Sequence, residues 1–406
     1  MSGHTNASKH YAHYPDVPVH APWAAYGFRP FFLILPWFVF FMMALWGAFF
    51  GGLLPWYLPS DPISWHVYEL MYGMGMAGVG AFILTGVPEL FPGVVPIVGR
   101  KLLFWVGLWL AGRISFFFAF GFGLWISMAI NLAFSLLVVA WVFKPIVLDP
   151  LQRHASIAYI IAGLMFLQVW FYVAIAGFGT VLPIEILKLA LGGFMMLIIL
   201  ALRRINMEAI NEVLEHADID DVFVAKPFRY NLAVFTISLF TVVEFFYPNN
   251  SVLAWLGFGA GAAILGIISD FKLDFSRIIF MPIPFYLALI CITMALGYMA
   301  LGADVLWQIG ESSSFRHLLT TGAFGLAFIV ALLVITMIHT GRALAHSMWM
   351  AWSIGLVLVA TFSRTAIAFY PEYYHLLNSL AVITWAAAFL IYFMATHRIL
   401  RTSRID

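Results

Sequence analysis

Residues 29–54 read RPFFLILPWFVFFMMALWGAFFGGLL. After Arg29 this run carries no charge, and it exceeds the roughly 20 apolar residues that take a helix across a bilayer core of about 30 Å. In such a core the backbone must satisfy its own hydrogen bonds, so a lone spanning segment has to be helical. Comparable runs recur at 64–90, 101–120, 122–143, 155–180, 184–202, 228–247, 251–270, 277–300, 315–338, 344–370 and 373–397. Proline, glycine or asparagine punctuates the gaps, as at Leu54-Pro55, Phe91-Pro92-Gly93, Phe143-Lys144-Pro145 and Tyr247-Pro248-Asn249-Asn250, and the faintest junction is 120–123. The expected fold class is all-α: a polytopic integral membrane bundle of about twelve transmembrane helices over 29–397, with short tails at 1–28 and 398–406.

Composition agrees. Of the 406 residues, 64% are hydrophobic and 10% charged, against roughly 25% charged in a soluble domain. The net charge of +1 gives no basic excess for a nucleic-acid partner; the partner expected is the lipid bilayer. Cys291 is the single cysteine, which excludes an internal disulfide and a thiolate cluster, so a metal would have to use histidine, carboxylate or methionine. The first 28 residues have no apolar core with a cleavage site, so the first spanning helix is expected to direct insertion. No Walker phosphate loop, HExxH or GxSxG occurs.

Charge along the chain gives an orientation. Cytoplasmic loops collect Lys and Arg, and sixteen of the twenty such residues fall in the termini and even-numbered junctions. They are Lys9, Arg29, Arg100, Lys101, Lys144, Arg153, Arg203, Arg204, Lys226, Arg229, Lys272, Arg277, Arg342, Arg398, Arg401 and Arg404. Both ends are therefore expected on the cytoplasmic side. The longest cytoplasmic loop, 203–227, sets Ile205, Ala209, Ile210, Val213 and Leu214 against Glu208, Glu212 and Glu215, the pattern of an interfacial amphipathic helix. Its place between helices six and seven invites a reading as two six-helix halves, although no motifs match between them.

Ionisable groups inside a bilayer are costly and mark candidate sites. Here Trp65, His66 and Glu69 open helix two, Glu185 and Lys188 open helix six, and Arg316 and His317 open helix ten. Arg113, Glu244 and Arg364 lie in the outer parts of helices three, seven and eleven, so a buried polar site toward the outer leaflet is expected. On helix two, His66, Glu69, Gly73, Ala77 and Gly80 share one face. Two readings follow: an axial imidazole over a strip where a flat macrocycle approaches the backbone, its tautomer fixed by Glu69, or a small-residue packing seam with a hydrogen-bonded histidine. On helix ten, His317 and His339 are 22 residues and so about 33 Å apart, too far for one metal. About 40° of rotation separates them if the helix is uniform. His339 has His346 or His154 as candidate inner partners, or a capping role in the turn His339-Thr340-Gly341-Arg342. The N-terminal His4, His10, His13 and His20 are irregularly spaced and weak metal candidates.

The stretches Gly27-Phe28-Arg29-Pro30-Phe31-Phe32, Trp65-His66 with Glu69, Leu84-Thr85-Gly86-Val87-Pro88, Leu110-Ala111-Gly112-Arg113, His317-Leu318-Leu319-Thr320-Thr321-Gly322-Ala323, His339-Thr340-Gly341-Arg342 and Trp385 to Leu390 together resemble the NnrS family of bacterial membrane proteins, over nearly the whole chain. The resemblance implies a multi-pass protein of the cytoplasmic (inner) membrane, with haem b and copper, linked to nitric oxide metabolism and nitrosative stress, often in denitrifying bacteria. It implies His66, His317 and His339 as metal or cofactor ligands and Glu69, Arg29, Arg113 and Arg342 as polar cofactor-site positions. Nitric oxide or another diatomic would be the small partner. The chain departs from the family pattern at Tyr68, where a second histidine is usual, and at Glu89, the stretch Ala201 to Asn206, and Val334. Two other classes stay open: a twelve-helix transporter of a metal or small solute, and an integral structural subunit of a larger respiratory or oxidising membrane complex.

Overall fold

A computed structural model describes residues 15–18, 20–55, 60–91, 93–150, 154–273 and 278–405. His4, His10, His13, Lys9, Arg153 and Arg277 lie outside them. The long helices are α1 (Phe28–Phe50), α2 (Pro62–Leu90), α3 (Gly99–Phe117), α4 (Gly123–Val147), α5 (Ala155–Ile175) and α6 (Pro183–His216). They continue as α7 (Pro227–Phe246), α8 (Val252–Phe271), α9 (Pro282–Trp307), α10 (Ser312–His339), α11 (Met348–Ala366) and α12 (Pro371–Arg401). All except α3 and α11 are long and apolar enough to cross a membrane, ten among the described residues. Arg100, Lys101 and Arg113 dilute α3, and Arg364 with several hydroxyl residues dilutes α11. No β-strand occurs among the described residues.

Local chemistry sets the boundaries. Pro62, Pro227 and Pro282 occupy the first turns of α2, α7 and α9, where the missing N–H costs nothing. Asp61 caps α2 by accepting a bond from the Ser64 N–H at 2.9 Å. The faint 120–123 junction is a real turn, made by Gly121 at φ +55°, a left-handed backbone that glycine adopts freely. Polar residues such as Asn131, Gln168 and Arg113 are buried while Phe104, Phe122, Phe166, Phe228 and Trp255 are exposed. Apolar outside and polar inside is the inverse of a soluble fold and the pattern of a multi-pass membrane protein.

Two expectations change here. Residues 203–216 form no separate helix, because α6 runs unbroken from Pro183 to His216 over 34 residues. No proline or glycine interrupts that stretch, so helical hydrogen bonding continues where hydropathy falls. Residues 22–28, read as part of a tail, are packed. Ala24 and Phe28 are buried, and a Cβ on Gly27 would stand 2.5 Å from Leu84 Cβ on α2.

The chain divides into two compact units. The first holds the described residues of Met1–Met42, Trp56–Ala190 and Thr396–Ile405, and the second those of Met43–Pro55 and Leu191–Ala395. In the first unit Arg29 is fully buried, and its Nη1 donates to the carbonyls of Leu400, at 3.5 Å, and Thr402 at the end of α12, and to Pro22 O at 3.2 Å. The guanidinium thus satisfies carbonyls that a helix end leaves over. Its observed role is to tie down a terminus, whereas the resemblance implied a cofactor position. Arg29→Ala is expected to cost about 2–3 kcal/mol and to open the segment after Leu400 to carboxypeptidase.

Candidate functional site

The structure brings Glu69 and Arg113 together in the first unit, and Arg316 with Glu244 and His317 with Arg364 in the second, while Glu185 and Lys188 pair, among the described residues, only with each other at 2.8 Å. In the first unit, α2 changes from α- to π-helical geometry at Glu69–Gly75. Such a widened turn frees a carbonyl from the regular ladder, and Gly73 O accepts the indole N–H of Trp109 at 2.8 Å. The turn places Tyr68, Glu69 and Tyr72 together in the core. Glu69 Oε2 accepts from Arg113 Nη1 at 3.1 Å, and the two side chains are 3% and 6% exposed. Arg113 Nη2 also donates to Asn131 Oδ1.

A hydrogen-bonded chain continues from there. Asn131 Nδ2 donates to Gly112 O at 3.0 Å, to Ser127 O at 2.9 Å and to the Tyr172 hydroxyl at 2.9 Å. Tyr68 donates to Tyr172 Oη at 3.2 Å and accepts from Gln168 Nε2 at 2.9 Å, while Ser135 donates to Gln168 Oε1 at 2.6 Å. The Tyr68 ring stacks on Phe171 at 4.4 Å and 4° with the Arg113 guanidinium 5.4 Å from its centroid. Sequence reasoning singled out Glu69 and Arg113 and missed Asn131, Gln168, Tyr172, Ser127 and Ser135. A signal was there: Ser127, Asn131 and Ser135 follow one another at intervals of four, one face of a helix.

The small-residue strip below His66 is not open. A Cβ on Gly73 would meet Phe38 Cζ at 2.7 Å and Glu69 Oε2 at 2.9 Å, and one on Gly80 would meet Phe134 Cζ at 3.1 Å. Phenylalanine rings from α1 and α4 fill the place expected for a macrocycle, so the strip is a helix-packing seam. His66 itself is partly exposed, one turn before Glu69.

In the second unit α10 also changes to π-helical geometry, at Leu318–Phe324 directly after His317. There Thr321 O accepts the indole N–H of Trp385 at 3.2 Å. Arg316 makes a two-pronged pair with Glu244, at 2.7 and 3.3 Å. His317 Nδ1 lies 2.8 Å from Ser313 O, and its Nε2 lies 3.1 Å from Arg364 Nη2. A guanidinium only donates, so Nε2 is the acceptor and the ring is neutral, with its proton on Nδ1 donated to Ser313 O. The widened turn also breaks the uniform rotation assumed along α10: His317 is partly exposed while His339 is buried. Arg342 Nη1 donates to Thr340 O at 3.3 Å, and His346 Nε2 pairs with the Tyr286 hydroxyl at 3.0 Å.

The family model described as NnrS protein matches residues 22–404. The chain belongs to the NnrS family. No curated protein and no solved structure matches it. The NnrS match begins at Pro22, where the chain starts to pack as the buried Ala24, Gly27 and Phe28 show, and includes the residues of both π-helical turns.

The metals that NnrS membership implies meet different conditions in this chain. Copper needs a cluster of donors, and no group of three or more His, Cys, Asp or Glu side chains suited to a metal occurs among the described residues. At position 68 the Tyr68 hydroxyl is already bonded to Gln168 and Tyr172. A haem needs only an axial donor with an apolar face beside it. His66 supplies the donor, but the plane cannot lie on the Gly73–Gly80 seam, which Phe38 and Phe134 occupy.

Proposed function

We propose that this NnrS-family protein binds haem b through His66 and acts at a bacterial cytoplasmic membrane in the response to nitric oxide. One observation favours His66 over the other family histidines: its partly exposed ring is hung one helical turn before Glu69, whose carboxylate is fixed by Arg113 and the network behind it. A ligand on a rigid base holds its geometry. His317 has both ring nitrogens committed to Ser313 and Arg364. A single protein ligand favours binding of a diatomic over electron transfer, because the haem when bound offers an open position to nitric oxide. The chain's contribution is the orientation of the imidazole and the exclusion of water by the aromatic packing around Tyr68.

The test is optical. The full chain, expressed with ample haem and purified in detergent, is expected to show a Soret band that shifts on addition of nitric oxide. His66→Ala is expected to lose at least nine-tenths of it, an order-of-magnitude loss on removing a sole ligand, while Tyr68→Phe keeps it. A colourless wild-type preparation, or an unchanged band in His66→Ala, overturns the reading.

A further inference from the structure

The two units carry similar arrangements of a histidine, a widened helical turn and an arginine. Arg364 follows His317 by 47 positions, and Arg113 follows His66 by the same interval. Each histidine precedes a seven-residue π-helical turn, and each arginine donates back to the helix that carries the turn. Three residues after His66 stands Glu69, the carboxylate that neutralises Arg113. Three residues after His317 stands Thr320, whose hydroxyl bonds back to Arg316 O at 3.3 Å. The second unit therefore keeps the arginine and lacks its counter-charge.

No described carboxylate in that unit stands within ion-pair distance of Arg364. Glu244 is held at both oxygens by Arg316. The His317 ring accepts from Arg364 while uncharged, and Tyr374 is hydrogen-bonded to the guanidinium with its ring centroid 6.0 Å from the guanidinium carbon. Glu311 acts on Arg364 only at longer range, and no carboxylate among the described residues pairs with it. Nη1 of Arg364 is buried, and the neutral partners of the guanidinium, His317 and Tyr374, bring it no charge. A guanidinium in so apolar a chain calls for a negative partner, and its planar fork suits an oxyanion.

We propose that Arg364, with His317 and Tyr374 beside it, binds a compact anion that supplies the charge Glu69 supplies in the first unit. The ligand class is a small oxyanion, free in water or carried as a lipid phosphate. The inference does not rest on the haem reading, whose test is the Soret band.

The experiment is thermal unfolding of the full chain, followed by tryptophan fluorescence, in a maltoside detergent, which carries no phosphate, titrated with sodium nitrate against sodium gluconate at equal ionic strength. A second arm adds phosphatidylglycerol to the detergent without nitrate. A saturable rise of about 2–5 °C is expected in one arm, which also names the source of the anion. Arg364→Gln is expected to abolish it. His317→Glu, which adds the missing carboxylate, is expected to raise the midpoint without any anion and to remove the response, so the proposal stays open to refutation even if Arg364→Gln does not fold. No rise in either arm, or a response in Arg364→Gln or His317→Glu equal to that of the wild type, overturns it.

Discussion

Glu69→Ala is expected to be among the most destabilising single substitutions in the first unit, at about 3–5 kcal/mol, because it leaves the Arg113 guanidinium buried without a charge partner. The pair is 3% and 6% exposed, so water cannot take over the lost bond. Arg113→Ala should cost a similar amount by another route. It releases Asn131 Oδ1 and uncovers the Tyr68 ring, and Asn131 in turn holds Tyr172. A double-mutant cycle separates pair from network: with Glu69→Ala already present, adding Arg113→Ala is expected to cost at least 2 kcal/mol less than it does alone. Chemical or thermal unfolding in a fixed detergent measures all four corners. A loss below about 1 kcal/mol for Glu69→Ala, the range of an exposed pair, would mean that the carboxylate is solvated and that His66 has no rigid base.

The fold was legible because the bilayer imposes one rule on every segment: roughly 20 apolar residues, helical, with breakers between. Ten of the twelve expected runs correspond to helices long and apolar enough to cross a membrane, and the other two to the more polar helices α3 and α11. What failed was the assumption that a helix stops where hydropathy drops. Arg203, Arg204 and Glu208 are good helix formers, so α6 continues through them to His216.

The candidate site was legible in its ionisable members and not in its architecture. Burial cost alone identifies Glu69, Arg113 and Arg364 as residues in need of partners. It does not say which. The His66, Gly73, Ala77, Gly80 pattern shows that something approaches the helix closely, and only the packing reveals Phe38 and Phe134 as what approaches. The two π-helical turns leave no local mark in the sequence either. Each is matched by an indole donor from elsewhere in the chain, Trp109 in one unit and Trp385 in the other.

Gly257→Ala is expected to disrupt the pairing of α8 with α9 in the second unit, at 3 kcal/mol or about the upper end of overpacking costs. A Cβ there would stand 2.6 Å from Tyr298 O and 3.1 Å from Gly302 Cα, and one on Gly302 would stand 2.7 Å from Ala254 O. These are backbone atoms on both sides, so no side chain can swing aside and the helices must part. In lipid, where close packing rather than water holds helices together, parting them forfeits the contact. Gly261 differs in degree: its two nearest neighbours are Met299 Cγ at 2.5 Å and Cε at 2.9 Å, a flexible side chain, with the backbone Ala295 O farther off at 3.0 Å, so Gly261→Ala should cost less than Gly257→Ala. Gly259 is the control within the same helix, since it is exposed with nothing within 4 Å of an added Cβ. There the ordinary preference for alanine in a helix, about 0.5–1 kcal/mol, acts unopposed and the substitution should be neutral or stabilising. Unfolding midpoints of the three variants, ranked Gly259→Ala above Gly261→Ala above Gly257→Ala, follow from backbone contact at a single seam; equal midpoints for Gly257→Ala and Gly259→Ala would show that α8 and α9 do not meet backbone to backbone.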